Sequence, residues 1–170
     1  MKEYRIFVAS STLGEFSDLR IRLADFFRQV NNILINDDKI VYSFFCEETS
    51  KAVAKSGKQN EINKSLKESD IFIAIFFDRF GEGTVGEVQE AVNSNIKYQG
   101  IFIKNVVLDE KGRTNKENLI KICKKNTILD FNSEIDMYLF VLNIIIENNR
   151  SSKCLKELER LKAVLNNCTN

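Results

Sequence analysis

The sequence predicts an α/β protein built on a doubly wound parallel sheet. Three observations predict it. Strand-like and helix-like hydrophobic patterns alternate five times along the chain. The third strand-like run, DIFIAIFF, is continuously apolar after its first residue, as a central parallel strand covered on both faces must be. The loops after the strand-like runs carry nearly all the polar residues suited to chemistry.

The first element is YRIFVAS, rich in β-branched and aromatic residues between about Glu3 and Ser10, and it ends in the small polar cluster Ser10, Ser11, Thr12, Gly14. A helix should follow from about Phe16 to Val30, where Phe16, Leu19, Leu23, Phe26, Phe27 and Val30 recur every three or four residues and Ser17 or Asp18 stands ready as a cap. Lys39 to Cys46 reads as a second strand, and a polar stretch from Glu47 to Lys58 leads to a helix around Gln59 to Lys67. The third strand, Asp70 to Phe77, is followed by DRFGEGT and a helix from about Val85 to Asn93. A fourth strand is expected over Gln99 to Val107, then a polar excursion through Asp109, Lys111, Gly112 and Arg113, and a helix around Lys116 to Lys124. Thr127 to Phe131 completes a five-stranded sheet and Ile135 to Glu147 its last covering helix. One domain is thus expected over 1–150, with an extra amphipathic helix in 151–170. That helix repeats Leu155, Leu158, Leu161 and Leu165 between charged residues, a stripe that fits packing on the domain, pairing with a partner or the start of a linker.

Composition removes several functions. With 170 residues and 44% hydrophobic content the chain can fill one core. The 25 Lys and Arg nearly cancel the 24 Asp and Glu, so no global field draws it to nucleic acid or an anionic membrane, and the basic residues lack the aromatic interleaving of a nucleic-acid groove. Cys46, Cys123, Cys154 and Cys168 lie far apart, which disfavours both a zinc site and a disulfide framework. Neither a secretory signal nor a membrane-spanning run is evident, so the protein is expected in the cytoplasm. There is no histidine at all, so Ser-His, Cys-His and His-metal schemes are excluded, and neither a metal nor a cofactor is expected. GxGxxG and the phosphate-binding P-loop pattern are missing.

In an open parallel sheet, ligands bind beyond the carboxyl ends of the strands, where strand order reverses. Three segments should meet there: Ser10 to Gly14, Cys46 to Thr49 and Asp78 to Glu87. In GEGTVGEVQEA, Thr84 can cap a helix and Glu87 would then lie in its first turn, facing the crevice with its charged form favoured by helix-end N–H groups. Such a carboxylate can bind ribose hydroxyls, attack an anomeric carbon or stabilise an oxocarbenium-like cation. Thr followed three residues later by Glu is equally the pattern of a capping box. Glu90 is a second candidate on the flank of the same helix, since Val88, Ala91 and Val92 should form its buried stripe. Ser10, Ser11 and Thr12 can offer donors to ribose or phosphate, or form an ordinary polar turn. Arg79 can hold a pyrophosphate and Phe80 can stack on a base, unless the Arg is solvated and the Phe folded into the core. Glu47, beside Glu48, can reach the crevice from the second strand.

Taken together, RIFVASSTLGEFSDLR resembles the opening of bacterial TIR-like domains, and SDIFIAIFFDRFGEGTVGEVQEA resembles their third strand, its Arg-aromatic-Gly loop and the following helix. The stretch Gly83 to Ala91 is also similar to the signature of nucleoside deoxyribosyltransferases. The resemblance covers about residues 4–131 and leaves out the C-terminal helices. It implies a flavodoxin-like, TIR-like sheet and a glutamate, here Glu87, acting on an N-glycosidic bond. For the TIR-like family the implied substrate is NAD, cleaved to nicotinamide and ADP-ribose or a cyclic product, commonly in antiphage defence and with self-association. The second family implies transfer or hydrolysis at a nucleoside bond. A non-enzymatic signalling and assembly module is the third expectation. The chain departs from TIR-like enzymes in having Ser10, Ser11, Thr12 and Leu13 where aromatic or basic residues usually stand.

Overall fold

The computed structural model describes residues 2–10, 15–45, 57–78, 80–123 and 127–168. In chain order, β1 (Lys2–Ala9) leads to α1 (Glu15–Leu34), a 3-10 turn (Ile35–Asp37) and β2 (Lys39–Phe45); α2 (Gly57–Lys67), β3 (Ile71–Phe76), α3 (Glu82–Asn93) and β4 (Tyr98–Lys104) follow. The chain then forms α4 (Glu110–Ile122), β5 (Ile128–Phe131), α5 (Glu134–Glu147) and α6 (Leu155–Asn167). All strand pairs are parallel and the order is β2-β1-β3-β4-β5, the flavodoxin-like arrangement.

Alternation along each strand sends side chains to two separate cores. Tyr4, Ile6 and Val8 of β1, with Ile71, Ile73 and Ile75 of β3, pack under α1 and α5. Phe7 and Ala9, with Phe72, Ala74 and Phe76, pack under α2, α3 and α4 through Ile62, Leu66, Val88, Ala91 and Leu119. Every residue of β3 is therefore buried. Gly100 in β4 is required by crowding: a Cβ there would lie 2.9 Å from the Phe102 ring and 2.9 Å from that of Phe140.

Element ends differ from the sequence expectation where capping is not visible in hydrophobic period. α1 begins at Glu15, so Ser17 and Asp18 are inside its first turn and do not cap it, and it runs on to Leu34, which is fully buried. α4 begins six residues earlier than expected, because the Asp109 carboxylate accepts from the Gly112 N–H at 2.7 Å and converts the supposed excursion into a first turn. β4 stops at Lys104, and Val107 stands fully in solvent.

The C-terminal helix packs back. Leu158 of α6 is fully buried among α1 and α5 residues, and Leu161 and Leu165 cover the same core. A polar clasp holds its entrance: Ser152 Oγ donates to Asp37 Oδ2, and Cys154 Sγ donates to the Ile33 carbonyl at 3.0 Å. Among the described residues, no helix is long and apolar enough to cross a membrane.

Candidate functional site

β1 and β3 are neighbours, yet the helices that follow them depart to opposite faces: α1 to one and α3 to the other. With β2 outside β1 and β4 outside β3, strand order reverses here, and the tips of β1 and β3 form the switch point of the sheet. Ser10 ends β1 and is 6% exposed. Its Oγ has no hydrogen-bond partner among the described residues. An unmet hydroxyl is costly away from water, and this one stands just beyond the tip of β1.

α3 begins three residues before the sequence suggested. Gly81, with φ −65° and ψ 138°, is its N-cap, and no side chain caps it. Thr84 is consequently inside the first turn and is not the cap, and the capping box between Thr84 and Glu87 does not form. Glu87 moves from the first turn into the second. Its distance from the helix end also removes the expected support from helix-end N–H groups, since that effect fades beyond the first turn. The residue is half-buried beside the Val88 and Ala91 stripe, with Gly83 and half-exposed Thr84 one turn nearer the switch point. Val92 is only partly buried.

A Cβ placed on Gly81, Gly83 or Gly86 would meet none of the described residues within 4 Å. No packing among the described residues demands these glycines, although Gly within a helix costs about 1 kcal/mol relative to Ala.

The remaining candidates divide. Glu90 pairs with Lys67 of α2 at 3.4 Å and so joins two helices. Phe80 lies in the core, 7% exposed, its ring stacked on Phe76 at a centroid distance of 5.1 Å. Little of that ring is left for a base to cover. Ser11, Thr12, Arg79 and Glu47 lie outside the described residues. Among the described residues no group of three or more Cys, Asp or Glu could hold a metal ion.

Sequence reasoning overlooked an opening on this edge of the sheet. It lies on the α1 and α5 face, at the tips of β3, β4 and β5, and brings together Arg22, Phe77, Lys104 and Glu134. Lys104, closing an apolar strand with a charge, was the available signal; its partners are 82 and 30 positions away in sequence, for Arg22 and Glu134.

No family model matches the chain, and no curated protein or solved structure matches it either. Fold and switch point together define a flavodoxin-like α/β protein.

Proposed function

We propose that the protein cleaves an N-glycosidic bond at the β1/β3 switch point, with NAD as the leading substrate and Glu87 as the residue that faces the reacting sugar. The Ser10 hydroxyl at the tip of β1 carries the reading: it has no partner among the described residues and stands at the switch point where such sheets take ligands. The half-buried position of Glu87 on the helix leaving β3, and the glycine turn before it, support the same reading.

In this scheme the bond between C1′ and the nicotinamide nitrogen breaks, its electron pair going to the pyridinium ring, which leaves neutral. The Glu87 carboxylate stabilises the positive charge growing on the ribose and orients its hydroxyls. A water oxygen then bonds to C1′ and passes its proton to the Glu87 carboxylate, which returns it to solvent. In the same scheme Ser10, Ser11, Thr12, Thr84 and Arg79 hold the polar remainder, while Phe80 supports the wall from inside the core. Self-association and a defence or signalling role in the cytoplasm belong to the same proposal, through the TIR-like resemblance. Because the chemistry required of Glu87 is shared, nucleoside or nucleotide hydrolysis or deoxyribosyl transfer is the neighbouring reading.

Incubation with NAD and a panel of nucleosides and nucleotides, over a range of protein concentrations, tests it. Release of nicotinamide or of a free base is expected, and Glu87→Gln should slow it at least about a hundredfold with the melting temperature kept. Undiminished turnover in that variant would remove the mechanism. No product from any substrate at high protein concentration would leave the non-enzymatic module in its place.

A further inference from the structure

The opening on the α1 and α5 face has a volume of about 480 Å³, in the range of small-molecule sites. It is built independently of Glu87, whose helix covers the other face of the sheet. Its floor is apolar. Phe77 stacks on Phe16 at 4.3 Å and on Phe131 at 5.5 Å, extending an aromatic row across the tips of β3 and β5.

Two cations from separate elements face this floor. The Lys104 ammonium, at the end of β4, lies over the Phe77 ring, 4.6 Å from its centroid. Arg22 of α1 is committed along one edge only: its Nε donates to Glu134 Oε2 at 2.5 Å. The Nη groups of Arg22 make no hydrogen bond among the described residues, so the paired donors of the guanidinium fork remain available in the cleft. Glu134 takes the Nε edge of the guanidinium and leaves the Nη edge open. Asp18, one turn before Arg22, is an exposed acceptor at the rim.

The N-terminus of α5 opens nearby, but the amides of Asn132, Ser133, Ile135 and Asp136 are used. The Asn132 and Ser133 N–H groups donate to Asp136 Oδ2 at 2.8 and 3.0 Å, and the Ile135 N–H donates to Ser133 Oγ. An incoming anion is therefore held chiefly by side chains. A carboxylate would be satisfied by the Arg22 fork alone, whereas a phosphate has oxygens enough for a fork on one side and an ammonium on another.

We propose that this cleft binds a phosphate monoester carried on an apolar or aromatic group, with Arg22 and Lys104 on the phosphate, the Phe77 row under the organic part and Asp18 accepting from its hydroxyls. A nucleoside monophosphate has this chemistry, and AMP is the ligand to test.

Isothermal titration of the full chain with AMP, adenosine and inorganic phosphate is the experiment, on the wild type, on Glu87→Gln, and on Arg22→Ala and Lys104→Ala made in each of those two backgrounds. AMP should bind more tightly than either fragment. Each cation substitution should weaken AMP by roughly ten- to a hundredfold, with the ligand-free melting temperature unchanged. In a Glu87→Gln background, which keeps any nucleotide from being cleaved during the titration, the two cation substitutions should weaken AMP by the same factor as in the wild type, which separates this site from the proposed reaction. Absence of binding at millimolar AMP, adenosine binding as tightly as AMP, or wild-type AMP affinity in either cation variant, alone or combined with Glu87→Gln, would each overturn the assignment.

Discussion

Replacing Ser10 with Ala should make the ligand-free protein more stable while impairing its function. The residue is 6% exposed and its hydroxyl has no partner among the described residues. A buried hydroxyl without a hydrogen bond costs about 1–3 kcal/mol in proteins. Alanine keeps the Cβ contacts and loses one oxygen's worth of packing, so part of that gain is returned and a net stabilisation of about 1 kcal/mol remains. For a chain of 170 residues, this corresponds to a rise in melting temperature of about 2–4 °C. Differential scanning calorimetry without ligand measures it, and nicotinamide release from NAD measures the other half. A Ser10→Ala protein that melts lower than the wild type would show that the hydroxyl is satisfied in solution, and the argument for a waiting donor at the strand tip would fail with it.

Gly83→Ala and Gly86→Ala should each raise stability by about 0.5–1 kcal/mol in chemical denaturation, because the new Cβ meets none of the described residues within 4 Å, and each should slow turnover if substrate approaches that turn. Gly100→Ala should do the opposite and lower stability, as two aromatic rings stand 2.9 Å from the added carbon. Leu158→Ala should cost about 2–5 kcal/mol by urea unfolding, since the side chain is fully buried between α6 and the α1/α5 core; a cost under about 0.5 kcal/mol would mean that α6 detaches in solution. Burial, and then the adjoining Glu134, push the Tyr138 phenol up to about 12, so the folded state holds the neutral form. That contribution is complete below the ordinary value of 10.0 and is lost as pH rises from there through about 12; Tyr138→Phe should flatten this alkaline decline, and identical pH profiles for the two proteins would refute it.

The order of strands and helices was legible because both periods were strong. β3 could be read from its unbroken apolar run, since a strand covered on two faces has no solvent side to alternate with. The starts of α3 and α4 were obscured for a shared reason. Gly81, Gly83 and Gly112 read as loop, but one helix begins on a backbone cap and the other on the Asp109 side chain, and neither depends on propensity. The shift of α3 by three residues matters for the candidate site, because it changes which turn carries Glu87. The Leu stripe of α6 could not say what it packs against; only the three-dimensional position of the α1/α5 layer decides that. Phe80 illustrates the same limit, as an aromatic after a strand fits a binding wall and a core equally until its neighbour, Phe76, is known.

The complete burial of β3 also has a consequence before the native state exists. Until helices arrive on both sides, Ile71–Phe76 is a charge-free segment of β-branched and aromatic side chains, the composition that stacks readily with copies of itself. Its two parallel neighbours are distant in sequence and join slowly. Asp70 and Asp78, both exposed and set just outside the ends of the run, stand where charges deter such stacking; neutralising Asp78 is expected to lower soluble yield on refolding well before it alters the finished fold, whereas Asp70 also accepts from the Arg5 N–H at 2.9 Å.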